Sequence, residues 1–272
     1  MFTYCLLIFF LASTVVVAQN PAYILPEHGS DNWKVCLLDN LDPVSNLSDI
    51  GADFKIHGIY FTESCVNWQR FTLEEAGTIL IPFLQTHLAP NSSLQILGDN
   101  NDDLKNVANP LLRALADLHF SKITLGYYGP FSEQFVYTQV KTGQVSDLTL
   151  TGSWPNGAAD LVKTYLTETL NPRLTLTEDN QIPIDKDLFM LMFQMFVDDK
   201  LTYLRDIFGK LEIKSKDLVT LRPDLQSHGV IKPRIPGYPV FAWKTAANPK
   251  LYFVVQFLEN QVEVYTIFRR RG

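Results

Sequence analysis

Histidine, cysteine and acidic side chains are where chemistry would start, and in this chain they are few and dispersed. His28, His57, His87, His119 and His228 share no ligand spacing. Gly-x-Ser-x-Gly, His-Glu-x-x-His, a phosphate-cradling Gly-rich loop and a dinucleotide fingerprint are all absent. Because a triad assembles from distant positions, scatter removes only the local signal for catalysis. Asp99-Asn100-Asn101-Asp102-Asp103 resembles the front of a calcium loop, but Leu104 stands where the turn needs Gly and Pro110 where the cation needs Glu. A helix-capping turn is the better reading. Asp198-Asp199 have the residue type for paired-carboxylate glycoside chemistry, yet they end an apolar run and read as its solvated terminus. No catalytic residue, metal site or cofactor is therefore assigned. The chain reads as a non-enzyme, with an enzyme of unrecognised type as an alternative.

The cysteines speak to compartment instead. Residues 2–18 carry no charge and end in Val16-Val17-Ala18-Gln19, with small residues where a signal peptidase reads, so residues 1–18 are expected to be a secretory signal peptide. An uncleaved anchor is the competing reading, but spanning a bilayer takes about 20 apolar residues and this run is shorter. After cleavage Cys5 is lost, leaving Cys36 and Cys65 as an even pair whose spacing fits no zinc or redox motif; one disulfide is expected. Without export, two buried thiols would be the reading. Asn46-Leu47-Ser48 and Asn91-Ser92-Ser93 are glycosylation acceptors in the same compartment, so Asn46 and Asn91 are expected to be modified. The expected localisation is extracellular, with no membrane association once the signal is removed.

Composition sets the frame for what positions any site. Of 272 residues 46% are hydrophobic and 19% charged, which excludes disorder and allows a real core. The net charge of −6 argues against nucleic acid, whose phosphates demand clustered Lys and Arg. Short alternating strands recur at Leu94-Gln95-Ile96, Ile123-Thr124-Leu125, Leu148-Thr149-Leu150 and Leu174-Thr175-Leu176, with weaker members expected at Ile59-Tyr60-Phe61 and Leu211-Glu212-Ile213. Helical stretches separate them, so the pattern is an α/β repeat. Thr72 and Glu75 form a capping box before a helix bent at Pro82. Pro110 is expected to break or restart the next helix, with Asn109 as its cap, and Leu161, Val162, Tyr165, Leu166 and Leu170 share the buried face of another. Residues 188–197 are apolar almost all round and predict a helix covered on most sides; Met190, Met192 and Met195 there read as core filling. Beyond Pro223, Val240–Lys244, Leu251–Leu258 and Gln261–Phe268 predict an antiparallel meander. The expected organisation is a signal at 1–18, an α/β repeat domain at 19–228 and a β-meander at 229–272 packed on it. Arg269, Arg270 and Arg271 read as a solvated tail.

A parallel sheet buried on both faces has continuously hydrophobic strands, and these strands alternate. Ile123, Leu125, Leu148, Leu150, Leu174 and Leu176 point one way, so Thr124, Thr149 and Thr175 point the other. Helices are therefore expected on one face only. The second face becomes a polar row of Gln95, Thr124, Thr149 and Thr175 flanked by Lys122 and Arg173, with Asp147, Thr151 and Thr177 beside them. One-sided stacks of this kind present extended surfaces suited to a macromolecule, and those first six residues are the expected binding set for an unknown protein partner. A bare polar sheet face need not bind anything, since Thr is also a good strand residue.

Gln139-Val140-Lys141-Thr142-Gly143, then Leu148 through Gly152-Ser153-Trp154-Pro155, the apolar helix from Asp187, and Leu221-Arg222-Pro223-Asp224-Leu225-Gln226 resemble the carboxy-terminal region of an uncharacterised nematode family similar to F-box-associated and leucine-rich-repeat-like proteins. The resemblance covers roughly residues 120 to 260. It implies a degenerate leucine-rich-repeat-like α/β architecture and a recognition role, and brings no catalytic residues. Relatives of that kind begin with an F-box that docks a ligase adaptor; a signal-like segment stands in its place here. An intracellular adaptor with a degenerate amino terminus is the alternative. The positions matching the family's asparagine ladder hold Asp99, Tyr128, Ser153 and Asp179, of which Tyr128 is not expected to bond a loop backbone as Asn does.

Overall fold

Alternating leucine and isoleucine build the centre of one sheet. The computed structural model describes residues 21–26, 33–39, 42–43, 47, 50–51, 53–60, 69–97, 102–201, 203–210, 212–227 and 231–268. Seven strands run parallel as neighbours: β1 (Pro21–Pro26), β4 (Ile56–Tyr60), β6 (Leu88–Ile96), β7 (Lys122–Gly126), β8 (Asp147–Thr151), β9 (Arg173–Leu176) and β10 (Tyr203–Gly209). At one margin β2 (Trp33–Asp39) pairs antiparallel with β1, β3 (Asp42–Pro43) and β5 (Gln69–Phe71). At the other, β11 (Val240–Lys244), β12 (Leu251–Phe257) and β13 (Val262–Phe268) form the expected antiparallel meander. It joins the same sheet, because β13 pairs with β10.

From β4 onward the parallel strands are laid down in chain order. Right-handed crossovers taken without reversal carry every connecting helix to the same face. Those helices are α1 (Leu73–Glu75) with α2 (Ile81–His87), α3 (Asp102–Ala114), α4 (Pro130–Lys141), α5 (Ala159–Glu168) and α6 (Lys186–Val197); α7 (Ser215–Val219) follows β10. Against them Ile123, Leu125, Leu148, Leu150, Leu174 and Leu176 are buried to 1% exposure or less.

The capping box forms. Glu75 N–H donates to Thr72 Oγ1 at 3.2 Å and Thr72 N–H to Glu75 Oε2 at 2.8 Å. The bend at Pro82 takes the form of a π-helical turn over Ala76–Leu80, just before the residue that lacks an N–H. Pro110 does not break its helix. It lies inside α3 on an exposed position, where the missing N–H removes one ladder bond from the solvent side. Asn109 is correspondingly no cap: its Nδ2 reaches Tyr128 O at 3.4 Å. Leu170 is 87% exposed because α5 ends at Glu168, although Leu161, Val162, Tyr165 and Leu166 are buried as expected. In α6, Met192 is fully buried and Met190 and Met195 pack against the core.

The strand after β9 is β10, not the stretch from Leu211; Leu211 lies outside the described residues and Ile213 falls beyond the strand. A bulge hides it from a period-two reading. Leu204 and Ile207 are buried three positions apart, with Asp206 between them at φ 52°. Thr266 of β13 fills the interrupted ladder, its Oγ1 accepting from Leu204 N–H at 2.8 Å.

Side-chain hydrogen bonds to backbone carbonyls tie unit to unit. Before the strands, Ser121 and Ser146 repeat one bond: Ser121 Oγ donates to Ser92 O at 3.2 Å and Ser146 Oγ to Ser121 O at 3.1 Å. After the strands, Trp154 Nε1 donates to Leu125 O and Asn180 Nδ2 to Phe208 O. Ser153 and Asp179 are exposed, while their successors Trp154 and Asn180 are buried and make these bonds, one reaching back to β7 and the other forward to β10. Tyr128 does bond a loop backbone, its hydroxyl donating to Leu97 O. Asp99 lies outside the described residues.

Candidate functional site

Strand register assembles the polar row. Gln95, Thr124, Thr149 and Thr175 are successive cross-strand partners, preceded by Tyr60 on β4. One pleat earlier run Ser93, Lys122, Asp147, Arg173 and Tyr203. Together with Arg205 these side chains line a groove of about 400 Å³, and every residue lining it belongs to a strand between β4 and β10. All six residues expected from the sequence to bind, Gln95, Thr124, Thr149, Thr175, Lys122 and Arg173, meet there.

Four contributors were not legible. Tyr203 and Arg205 belong to the bulged strand, and Tyr60 and Ser93 sit on strands whose Leu-Thr-Leu signature is incomplete. The alternation Tyr203-Leu204-Arg205 was the available signal. Thr151 and Thr177 are half-buried and stand beyond the groove. Of the other expectations, Asn91 is exposed on β6 and open to modification. Cys36 is a residue of β2. Residues 1–18, Asn46, Cys65 and the terminal arginines lie outside the described residues. Among the described residues no group of three or more His, Cys, Asp or Glu is placed to hold a metal, and no helix is long and apolar enough to cross a membrane.

Electrostatics at the groove are set by one acid among three bases. Lys122 and Arg173 face Asp147 from the neighbouring strands, directly across on either side. Burial pushes the Asp147 carboxyl above its ordinary value, against the pull of Lys122, Arg173 and Arg205. The Arg173 guanidinium lies 5.5 Å from the centre of the Tyr203 ring, a cation–π contact that limits its swing.

Comparison with protein-family models, curated proteins and solved structures returns no match. The groove's function therefore rests on its own geometry.

The meander end differs from the expected open face. There the second face is apolar, with Ala242, Tyr252, Val254 and Tyr265 packed under Ile231 and Val240. Residues 231–239 form a strap held through Arg234, whose Nη1 pairs with Asp206 at 2.6 Å and with Glu263, and whose guanidinium sits 3.8 Å from the Tyr265 ring centre. Gln256 adds Nε2 to Ile235 O at 2.9 Å. The polar surface is thus bounded on this side.

The raised Asp147 value has a signed consequence. A carboxyl whose folded pKa exceeds its unfolded pKa costs stability when it ionises, so that cost appears as pH rises through the folded value and is absent below the unfolded one. Asp147→Asn is expected to be more stable than the parent at pH 7, with the difference vanishing toward pH 3, as read from thermal midpoints. A variant less stable at pH 7 would show that the three cations outweigh burial.

Proposed function

We propose that this chain is a secreted recognition protein whose repeat sheet, a degenerate leucine-rich-repeat-like stack with helices on one side, docks an extended segment of a protein partner. One observation carries this reading: thirteen strand side chains, all polar or backing the polar row, line a groove with no helical residue among them. Crossing from β4 to β10 takes five strand spacings of about 4.8 Å, or about 24 Å, the length of about seven extended residues. The Gln95 amide and the hydroxyls of Thr124, Thr149 and Thr175 along that path offer donors and acceptors to a peptide backbone. The recognition role implied by the resemblance to nematode leucine-rich-repeat-like proteins agrees with this, as does the export signal expected at 1–18.

Thr149 is at the middle of the floor, so Thr149→Trp fills the groove while keeping a good strand residue. A photo-cross-linking residue at Thr124 of the full chain, exposed to extracellular fluid, is expected to mark one defined segment of a partner. A synthetic peptide of that segment should bind the parent and lose at least tenfold in affinity for Thr149→Trp. Equal affinity would move the site elsewhere. Fusion of residues 1–30 to a reporter tests export, and a cytosolic reporter would overturn it.

A further inference from the structure

The groove is positive in a chain that is negative as a whole. Lys122, Arg173 and Arg205 line it with Asp147 as its one carboxylate, while the formal net charge is −6. Cations collected on one face of an acidic protein oppose its overall field and steer an anionic partner to that face. Lys122 and Arg173 are exposed, and neither forms a salt bridge within 4.0 Å among the described residues, whereas Arg205 is already paired with Asp206 at 3.3 Å. Arg173 is held over Tyr203, which leaves its planar fork of donors for a carboxylate.

We propose that the docked segment is an acidic peptide whose carboxylates pair with Lys122 on one side and with Arg173 on the other. The inference rests on the sheet-face reading above and names the chemistry of its partner. Lys122 and Arg173 lie two strands apart, about 10 Å at the backbone, so the matching carboxylates are separated by about three residues of extended chain. Asp147 stands between them and accepts from a donor of the peptide, a backbone N–H or a hydroxyl. That central acid separates a peptide from a sulfated or uronic glycan. A chain with an anion on every sugar meets repulsion at Asp147, whereas a peptide alternating acids with donors meets the plus, minus, plus order of the row.

The test uses the full chain and fluorescent octapeptides of Gly and Ser carrying two Glu residues two, three or four positions apart, with Gln and Lys counterparts. Fluorescence anisotropy at low salt is expected to show binding of a Glu peptide and none of the Lys peptide, weakening steeply as salt rises. Lys122→Gln and Arg173→Gln should each weaken it about fivefold, the size of an exposed ion pair, and Thr149→Trp should abolish it. Gln peptides binding as tightly as Glu peptides, while Thr149→Trp still abolishes binding, would overturn the acidic inference and leave the docking face standing. Binding that survives Thr149→Trp would overturn the docking face itself. Failure of every Glu peptide, or tighter capture of a heparin octasaccharide through the same cations, would overturn the peptide proposal.

Discussion

Phe193→Ala is expected to destabilise the protein by about 4 kcal/mol, the usual cost of emptying a fully packed phenylalanine site. Phe193 is 2% exposed on α6 and touches four rings. Trp243 and Phe253 of the meander meet it edge-on at 5.4 and 5.5 Å, and Phe189 and Phe196 flank it at 6.2 and 6.4 Å. The side chain therefore couples the last long helix to the antiparallel strands, and each aromatic pair adds up to about 1 kcal/mol beyond buried area. Phe193→Leu should recover more than half of the loss. Chemical denaturation of both variants provides the measurement. A cost under 1 kcal/mol for alanine would mean that α6 does not anchor the meander.

Gln139→Leu is expected to cost about 3 kcal/mol although the replacement is similar in size. Gln139 is fully buried on α4, and its amide closes the turn after α3. Oε1 accepts from Phe120 N–H at 3.3 Å, while Nε2 donates to Leu118 O at 2.7 Å and Ala116 O at 3.2 Å. Leucine leaves those backbone groups inside without partners, and an orphaned buried group costs about 1–3 kcal/mol. Gln139→Glu keeps the acceptor and loses the donors, so it should be no better at neutral pH. Equilibrium unfolding checks the size. Amide exchange at Phe120 checks the cause, because protection there should fall with Gln139→Leu and remain with Phe193→Ala.

Much of this architecture was legible because one residue pattern repeats. Leu-Thr-Leu at β8 and β9 and Ile-Thr-Leu at β7 state both the strand and its buried side, and the register then brings Thr124, Thr149 and Thr175 into one row. Thr72 and Glu75 announced a helix start by a purely local rule. Where tertiary structure overrode a local rule, the reading failed. Pro110 continues a helix because its position faces solvent, and β10 escaped notice because Asp206 inserts a residue between two buried ones. Tyr203 and Arg205 were lost with that strand. The strap over the meander was also hidden: Ile231-Lys232-Pro233-Arg234-Ile235-Pro236-Gly237 carries the composition of a loop, and its fastening through Arg234 to Asp206 and Glu263 joins positions far apart in the chain.

The antiparallel pairing of β13 with β10 has a consequence for assembly. A stack of like strands ends in a row of unsatisfied amides and carbonyls that a second molecule could continue. Here the last parallel strand receives a neighbour running the opposite way, and the outermost strand is closed in turn, with Ser227 N–H donating to Ala242 O at 2.8 Å and Lys244 N–H to Leu225 O at 3.0 Å. Edge-to-edge addition at this margin is opposed by the segment at residues 225–227, which precedes β11 and occupies these edge groups. The protein thereby keeps its sheet finite at this end.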